Sequence, residues 1–355
     1  MSHLKPLTSL RFLFALMVFV SHLDFLKTSS NEFLRNLYND VLIHGYIGVS
    51  FFFILSGFIL THVYRNKINS NRLENKKYFI ARIARVYPLH FATFIVAIPL
   101  MFWGQDFNEK GLLLGLSNLT LTQAYLPIKE LYFSFNGPSW SISCEMFFYL
   151  SFPFLLQLFN KRKYLKYAIS ILVVLSILVL PQFIDKELHH GLFYINPLFR
   201  LVDFILGIIL YDVYVILSKK TFTLDFSSLE FIAIGLFVLF FSFRESVTET
   251  YLYSSYYWIP MLGIILIFAF QNGFLSRILS HRFAIWLGEI SFGFYMVHHL
   301  VLRYFTLGNG RFELLTNDVV IIFTLLTISI LGAVLSHNYF EIPLNRWIRK
   351  RWIMS

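Results

Sequence analysis

Residues 10–25 read LRFLFALMVFVSHLDF, an apolar run that contains one arginine and one histidine. Such a run predicts a helix that crosses a lipid bilayer, because a helix satisfies its own backbone polar groups where no water is present. Arg11 and His22 are eleven residues apart, which is about three helical turns, so the spacing predicts both side chains on one face. Along the helix axis they would lie about 16 Å apart. A charged and a titratable group on one stripe indicate a lined pathway in the membrane.

The composition of the whole chain extends this interpretation. Of 355 residues, 57% are hydrophobic and 14% are charged, and the mean hydropathy is +0.64. These values lie outside the range of an ordinary soluble domain. We predict an all-α integral membrane protein, a bundle of about ten transmembrane helices that form a single domain over residues 1–355. The predicted spans lie near residues 7–26, 44–64, 78–103, 138–159, 167–184, 196–217, 227–243, 255–270, 283–303 and 318–337.

The distribution of lysine and arginine predicts the orientation of these helices. If the N-terminus is cytoplasmic, the inner connections and termini carry 18 basic residues and the outer connections carry 7. Cytoplasmic loops are enriched in basic residues, so both termini are predicted to be cytoplasmic. This asymmetry explains much of the net charge of +10 without nucleic acid as a partner. Residues 161–166 and 346–351 are predicted to contact anionic membrane lipid.

Three further features complete the organisation of the chain. The first apolar block has no small-residue cleavage site after it, which predicts a retained helix and not a removed signal peptide. The single cysteine, Cys144, allows no intrachain disulfide and is predicted to be a buried apolar residue. The longest connection, 104–137, contains an apolar stretch and is predicted to be re-entrant or interfacial. We expect no metal site.

Ionisable side chains remain inside the predicted spans, where lipid does not stabilise them. Such residues can have a functional role. Alternatively they are structural, and either pair between helices or extend from a helix end toward the membrane surface. We favour structural pairing for seven of these residues, namely His44, His62, Asp212, Glu230, Glu289, Arg303 and Asp318. Asp24 is predicted to be interfacial.

Arg82 and Arg85 lie three residues apart in the third predicted span, just inside its cytoplasmic end. This spacing places both guanidinium groups on one side of a helix. Two forked, permanently charged donors suit a phosphate-bearing ligand. Anchoring at the cytoplasmic surface is the alternative, but five basic residues in 65–77 already supply that anchor. We therefore favour ligand binding.

Residues 135–150 read FNGPSWSISCEMFFYL and begin the fourth predicted span. Ser139 and Ser141 are predicted to cap its free amides. Trp140 is typical of a membrane interface. Glu145 lies about one and a half turns further along and has no neighbouring base in its own helix, so it is predicted to need a partner on another helix or to take up a proton.

Residues 289–302 read EISFGFYMVHHLVL and place Ser291, Tyr295 and His298 at positions i, i+4 and i+7 of the ninth helix. This spacing predicts one continuous polar stripe. His298 could belong to a reactive site, or it could be a packed and hydrogen-bonded core histidine. The spacing favours neither interpretation.

These pieces together resemble the membrane acyltransferase-3 family, O-acyltransferases that modify bacterial surface polysaccharides, over almost the whole chain. The sequence departs from the family pattern at three positions, which leaves the roles of the second and sixth helices open: His44 and Ser50 replace a glycine and an acidic residue, and Asp203 replaces glutamate. The matching pieces are, in chain order, Arg11 to His22 with ten residues between them, GYIGVSFFFILSG, Arg82 with Arg85 and Pro88, SWSISCEMFFY, Arg200 with Asp203, Phe204 and Gly207, SFGFYMVHH, and FEIP at 340–343.

The resemblance implies an enzyme of the bacterial inner membrane whose co-substrate is acyl-coenzyme A, most often acetyl-CoA, supplied from the cytoplasm. The acceptor would be a hydroxyl of an exported or lipid-linked glycan. A C-terminal esterase-like domain, found in some members, is not expected here. A transporter of an anionic solute is the alternative, although the two halves show no matching pair of interrupted helices.

The resemblance also implies roles for individual residues. His22 is the expected general base or transient acyl acceptor, since imidazole titrates near neutral pH. The remaining roles are shared among eight residues: Arg11, Arg82 and Arg85 for the donor, Glu145 and His298 for the acceptor hydroxyl or for tuning His22, and Ser139, Trp140 and Tyr295 for the acceptor.

Overall fold

The computed structural model describes residues 4–69, 74–102, 109–221, 225–312 and 315–353, and these ranges contain helices, turns and loops but no β-strand. The predicted all-α fold is confirmed. The α-helices are α1 (Lys5–Ser21), α2 (Glu32–Asp40), α3 (Gly48–Asn69), α4 (Asn75–Met101), α5 (Glu109–Leu119), α6 (Lys129–Tyr132), α7 (Ser139–Lys161), α8 (Leu165–Val179), α9 (Lys186–His189), α10 (Pro197–Leu217), α11 (Phe226–Ser242), α12 (Glu249–Leu252), α13 (Trp258–Ala269), α14 (Phe274–Leu279), α15 (Arg282–Phe312), α16 (Asp318–Ser336) and α17 (Ile342–Ile353).

Six helical stretches in the described ranges are long and apolar enough to cross a membrane, and they coincide with six of the ten predicted spans. The other four predicted spans correspond to helices that are shorter or more charged. α1 and α11 have 17 residues each, and α10 carries three charged side chains. The six stretches are Glu32–Lys67, Asn75–Met101, Ser139–Lys161, Leu165–Gln182, Arg282–Asn309 and Asp318–Trp352.

Local sequence explains where several helices begin. Asn196 caps α10 by accepting a hydrogen bond from the Leu198 N–H, and Pro197 follows at the first helical position. Asn317 caps α16 in the same way. Asp225 caps α11, and its hydrogen bonds from Ser228 lower the pKa of the Asp225 carboxyl from its usual value.

The chain divides into two compact units, each built from three separate segments. The first unit contains Arg11, and the second contains the other predicted site residues, from His22 to His298. The prediction of one transmembrane domain stays a prediction. The first unit is Met1–Phe14, Val49–Asn75 and Phe147–Glu289, and the second unit is Ala15–Gly48, Lys76–Met146 and Ile290–Ser355.

Close backbone contact joins α3 and α10 in the first unit. A Cβ added at Gly57 would come within 2.9 Å of the Phe204 carbonyl carbon, and one added at Gly207 would come within 2.7 Å of the Phe58 nitrogen. Phe204 also stacks on Phe148 of α7, with ring centroids 5.2 Å apart. Glycine at both positions therefore allows α3 and α10 to touch.

A buried ion pair lies beside this contact. The guanidinium of Arg200 lies 2.8 Å from Asp203 and donates to the Ser50 hydroxyl at 2.8 Å and to the Tyr253 carbonyl at 2.9 Å. The indole N–H of Trp258 donates to Asp203. Arg200 and Asp203 are both fully buried. Arg200 and Asp203, two of the four quoted motif positions in α10, thus form an internal network that includes Ser50, another position at which the sequence departs from the pattern.

Several charged residues that the sequence analysis interpreted as structural do have partners. In the first unit, Asp212 pairs with Arg65 and Lys166. Glu230 accepts hydrogen bonds from the backbone N–H groups of Leu275 at 2.7 Å and Ser276 at 3.1 Å. These contacts confirm the predicted pairing between helices for Asp212 and Glu230.

The second unit contains similar pairings. Arg303 donates to the Phe135 carbonyl at 2.7 Å and to the Leu100 carbonyl at 3.2 Å. Asp318 accepts a hydrogen bond from the Ser29 hydroxyl. Asp24 is exposed, and its interfacial location stays a prediction.

The predicted interfacial connection 104–137 contains α5 and α6, and residues 103–108 lie outside the described part of the chain. Three leucines of α5, Leu112, Leu113 and Leu116, are more than half exposed. Its location relative to the membrane stays a prediction.

A π-helical segment, His337–Glu341, joins α16 to α17 in the second unit. It passes directly into α17, where the side-chain amide of Asn345 donates to the Ala84 carbonyl of α4 at 3.0 Å. A Cβ added at Gly293 of α15 would meet the Ser336 hydroxyl at 2.6 Å and the Glu341 carboxylate at 2.9 Å. Gly293 therefore lets α15 pack closely against this segment.

Candidate active site

His22 lies in the turn that ends α1. The helix stops at Ser21, and the His22 backbone N–H donates to the Phe19 carbonyl at 3.1 Å. A separate 3-10 helix follows at Asp24–Thr28. The predicted span over 7–26 is therefore wrong at its C-terminal end, because the chain leaves the α-helix before His22. Arg11 is a half-buried residue of α1. The predicted stripe of Arg11 and His22 assumed one uninterrupted helix, and His22 lies just beyond the end of that helix.

Three imidazole rings lie together in the second unit, those of His22, His298 and His299. The Nδ1 atom of His22 lies 3.1 Å from the Nε2 atom of His298, within hydrogen-bond distance. The ring centroid of His22 is 5.2 Å from that of His298 and 5.3 Å from that of His299. The structure thus joins two of the predicted site residues directly and adds a third histidine that the sequence analysis did not select.

The hydrogen bonds of His298 define which nitrogen of each neutral ring carries the proton. Nδ1 of His298 lies 3.2 Å from the Phe294 carbonyl, which can only accept. A neutral His298 must therefore donate from Nδ1 and accept at Nε2. His22 must then donate from Nδ1, which leaves the lone pair of its Nε2 atom available to take a proton. The role of His22 as a base stays a prediction.

The polar stripe on α15 is confirmed. Ser291, Tyr295 and His298 lie on this helix and are all buried, His298 completely. Two phenylalanine rings pack around the imidazole of His298, with centroids 6.1 Å away for Phe19 and 6.0 Å away for Phe294. His298 is thus a packed and hydrogen-bonded histidine that is also the partner of His22.

The first turn of α7 is held by side-chain contacts and not by the predicted serine caps. Ser141 donates to the Pro138 carbonyl at 2.9 Å and bonds the Tyr295 hydroxyl at 2.9 Å. Ser139 donates to Asn118 at 3.3 Å and accepts from Gln123 at 3.3 Å. The capping prediction is wrong because these hydroxyls have partners on other elements.

The segment before α7 is hydrogen-bonded to α15 and packs against it. The Asn136 side-chain amide donates to the Met296 carbonyl at 2.9 Å. Gly137 lies against His299, and a Cβ at this position would come within 2.9 Å of the imidazole Cε1 atom. Sequence reasoning missed these contacts. The quoted FNGPSW and VHH pieces contain the residues, but no local spacing shows that they meet.

The remaining predicted site residues occupy α4 and α7. Arg82 and Arg85 are half-buried on α4, and the Arg85 guanidinium lies 5.9 Å from the ring centroid of Phe292. On α7, Trp140 is buried and Glu145 is half-buried. Among the residues that the structure describes, no group of His, Cys, Asp and Glu side chains is arranged to hold a metal ion.

The six long apolar helical stretches are those of a multi-pass membrane protein. The model of the acyltransferase-3 family, described as an acyltransferase domain, matches residues 6–337, and the chain belongs to this family. It is a membrane acyltransferase of the kind that moves groups other than aminoacyl groups, which requires an acyl donor and an acceptor.

The relatives of this chain include two named acyltransferases. The chain is 28% identical to acyltransferase MdmB of Streptomyces mycarofaciens, over 98% of this chain and 93% of that protein. It is 26% identical to the peptidoglycan O-acetyltransferase OatA of Listeria monocytogenes serovar 1/2a, over 85% of this chain and 51% of that protein. The chain thus spans about half the length of OatA. No solved structure matches.

Proposed function

We propose that this protein is a membrane O-acyltransferase, and specifically an O-acetyltransferase, that moves an acyl group from cytoplasmic acyl-coenzyme A to a hydroxyl of an exported or lipid-linked glycan. The observation that carries the proposal is the 3.1 Å contact between His22 and His298, which would leave Nε2 of a neutral His22 free to act as the base. The name of OatA supports an acetyl group and a sugar acceptor.

The chemistry needs one proton acceptor that later returns the proton. The Nε2 atom of His22 takes the proton of the acceptor hydroxyl while the oxygen attacks the thioester carbonyl. The carbon–sulfur bond then breaks, and the coenzyme A sulfur receives the proton from His22. The products are an ester and free coenzyme A thiol. A transient acyl group on His22 is the second form of the same proposal.

The arginines supply the donor site in this proposal. Arg82 and Arg85 are adjacent on one side of α4, and their guanidinium groups suit the phosphates of coenzyme A. Arg11 would contribute to donor orientation. Ser139, Trp140, Glu145 and Tyr295 remain the candidates for acceptor contacts on α7 and α15.

Release of coenzyme A thiol tests the proposal. Purified protein is given acetyl-CoA with or without a soluble peptidoglycan fragment, and a thiol reagent measures the release. The single cysteine of the chain, Cys144, is fully buried, so the reagent reports the released thiol. We expect release that depends on the acceptor and is lost in His22→Ala. A transporter would leave the thioester intact.

The matched control is His90→Phe. His90 is another buried histidine of the second unit, and its Nε2 atom bonds the Asn118 carbonyl at 2.9 Å and not His22. This variant should keep acceptor-dependent release. In proteoliposomes, the donor should work only from the face that bears residues 65–77 and 346–351. Release with donor on the opposite face alone would contradict a cytoplasmic donor route.

A further inference from the structure

His299 differs from its neighbour His298 in how its nitrogen atoms are bonded. Both nitrogens of His298 have partners, whereas Nδ1 of His299 is buried and has no hydrogen-bond partner among the described residues. A buried polar atom without a partner is unfavourable and uncommon in a folded protein. A bound molecule that forms this hydrogen bond would remove the penalty.

His299 is a direct neighbour of His22 at the candidate active site. Its ring is 5.3 Å from that of His22 by centroid and stands nearly edge-on to it, at 72°. His22 and His299 therefore flank the same space without stacking. His299 itself is half-buried, so its ring is not enclosed on every side.

Gly137 makes room for this ring. A Cβ at position 137 would lie 2.9 Å from Cε1 and 3.3 Å from both Nδ1 and Nε2 of His299. These distances are tighter than ordinary van der Waals contact, so any side chain at 137 would displace the imidazole. The backbone at Gly137 therefore bounds the space that the His299 ring occupies on one side.

The residue before Gly137 supplies a second polar atom. Asn136 is 1% exposed, and its amide nitrogen is fixed to the Met296 carbonyl at 2.9 Å. Its Oδ1 atom is buried and has no partner in the described ranges. Met296 precedes His299 by three residues, about one helical turn on α15. One potential donor and one acceptor, both unpaired, therefore lie at the junction of this segment with α15.

We propose that His299 and Asn136 form the acceptor subsite and that the acceptor is a molecule with neighbouring hydroxyl groups, as in a sugar. Nδ1–H of His299 donates to the oxygen of the hydroxyl that His22 deprotonates. Oδ1 of Asn136 accepts from an adjacent hydroxyl of the same molecule. This inference rests on the proposed acyltransferase reaction and assigns the acceptor contacts to two residues that the sequence analysis gave no role.

Two substitutions of His299 test the subsite. In His299→Asn, the amide nitrogen is bonded to Cγ, as Nδ1 is in histidine, so a donor is kept at nearly the same position. His299→Phe keeps a ring of similar size and removes the donor. We expect the Phe variant to raise the KM for a peptidoglycan-fragment acceptor at least tenfold, and the Asn variant to recover most of that loss. Coenzyme A binding should be the same in all three proteins.

A pair of glycine variants provides an independent test. Gly137→Ala should raise the acceptor KM in the same way, because the new methyl group displaces His299. Gly115→Ala is the matched control in the same unit, since its Cβ would lie 3.7 Å from the nearest atom, an ordinary contact. Thermal unfolding in detergent verifies that each variant is folded.

The outcomes separate this proposal from the proposed function. An unchanged acceptor KM in His299→Phe would overturn the subsite. A loss in kcat alone at saturating acceptor would also overturn it, because it would place His299 at the thioester carbonyl and not at the acceptor. A wild-type protein that releases no thiol with any hydroxyl acceptor would instead contradict the acyltransferase reaction itself.

Discussion

Replacing His298 with phenylalanine should weaken the reaction by removing the partner of His22. Phenylalanine fills similar space between Phe19 and Phe294, but it offers nothing for Nδ1–H of His22, which lies 3.1 Å from Nε2 of His298 in the wild type. His298 is fully buried, so water cannot easily take its place. Without this contact, the Nδ1–H tautomer of His22 loses the hydrogen bond to His298, and part of the population no longer presents a basic Nε2.

The expected magnitude follows from the cost of an unsatisfied buried donor, about 1–3 kcal/mol. Since about 1.4 kcal/mol corresponds to a factor of ten, kcat should fall between about fivefold and about 150-fold. His298→Gln should recover part of the loss, because the Gln side-chain oxygen lies about as far along the chain as Nε2 and can accept from His22.

Thiol release at saturating acetyl-CoA and acceptor measures this effect. His90→Phe is the matched control, because it also removes a buried imidazole from the second unit but not the contact with His22. The reasoning is refuted if kcat in His298→Phe stays within twofold of the wild type. It is equally refuted if His90→Phe loses as much activity at the same thermal stability.

Three further outcomes are expected. Arg82→Ala and Arg85→Ala should each weaken coenzyme A binding by about 1.5–3 kcal/mol, and lysine should rescue only partly, since it lacks the bidentate fork; unchanged binding by calorimetry in the double variant would exclude the phosphate role. Asp212→Asn leaves Arg65 and Lys166 without their carboxylate partner. It should lower the free energy of unfolding by somewhat less than the about 3–5 kcal/mol typical of a fully buried pair. Equal melting temperatures of the variant and the wild type would contradict this. Gly207→Ala should destabilise the protein because its Cβ meets backbone atoms, whereas Gly235→Ala, with no atom within 4 Å, should not; similar melting temperatures for both would contradict the close helix contact.

The positions of the long helices could be predicted because apolar blocks of sufficient length carry that information locally. Their ends could not. His22 illustrates this limit, since a turn closed onto Phe19 ends α1 where the apolar pattern continues to residue 25. Ser139 and Ser141 illustrate another, because both could cap a helix by position, but their hydroxyls bond Asn118 and Tyr295 instead.

The candidate site shows the same division between local and tertiary information. His298 belongs to a stripe of period 3.6 and could be identified as a polar position on a buried face. His299, one residue on, is rotated by about 100° from that stripe, so the spacing did not select it. Its proximity to Gly137 depends on the packing of α15 against the segment before α7, which no spacing within either piece encodes.

The π-helical segment His337–Glu341 sets the number of residues between α16 and α17. That number determines how α17 is rotated about its axis, whatever the side chains of the segment are. A π-helical turn holds an additional residue compared with an α-helical turn, and each residue rotates the following helix by about 100°. Deleting one residue here would turn α17 about its axis and carry Asn345 away from the Ala84 carbonyl that it now reaches at 3.0 Å. The four basic residues that follow, Arg346, Arg349, Lys350 and Arg351, would turn with it. A single-residue deletion in this segment should thus be more damaging than most substitutions within it.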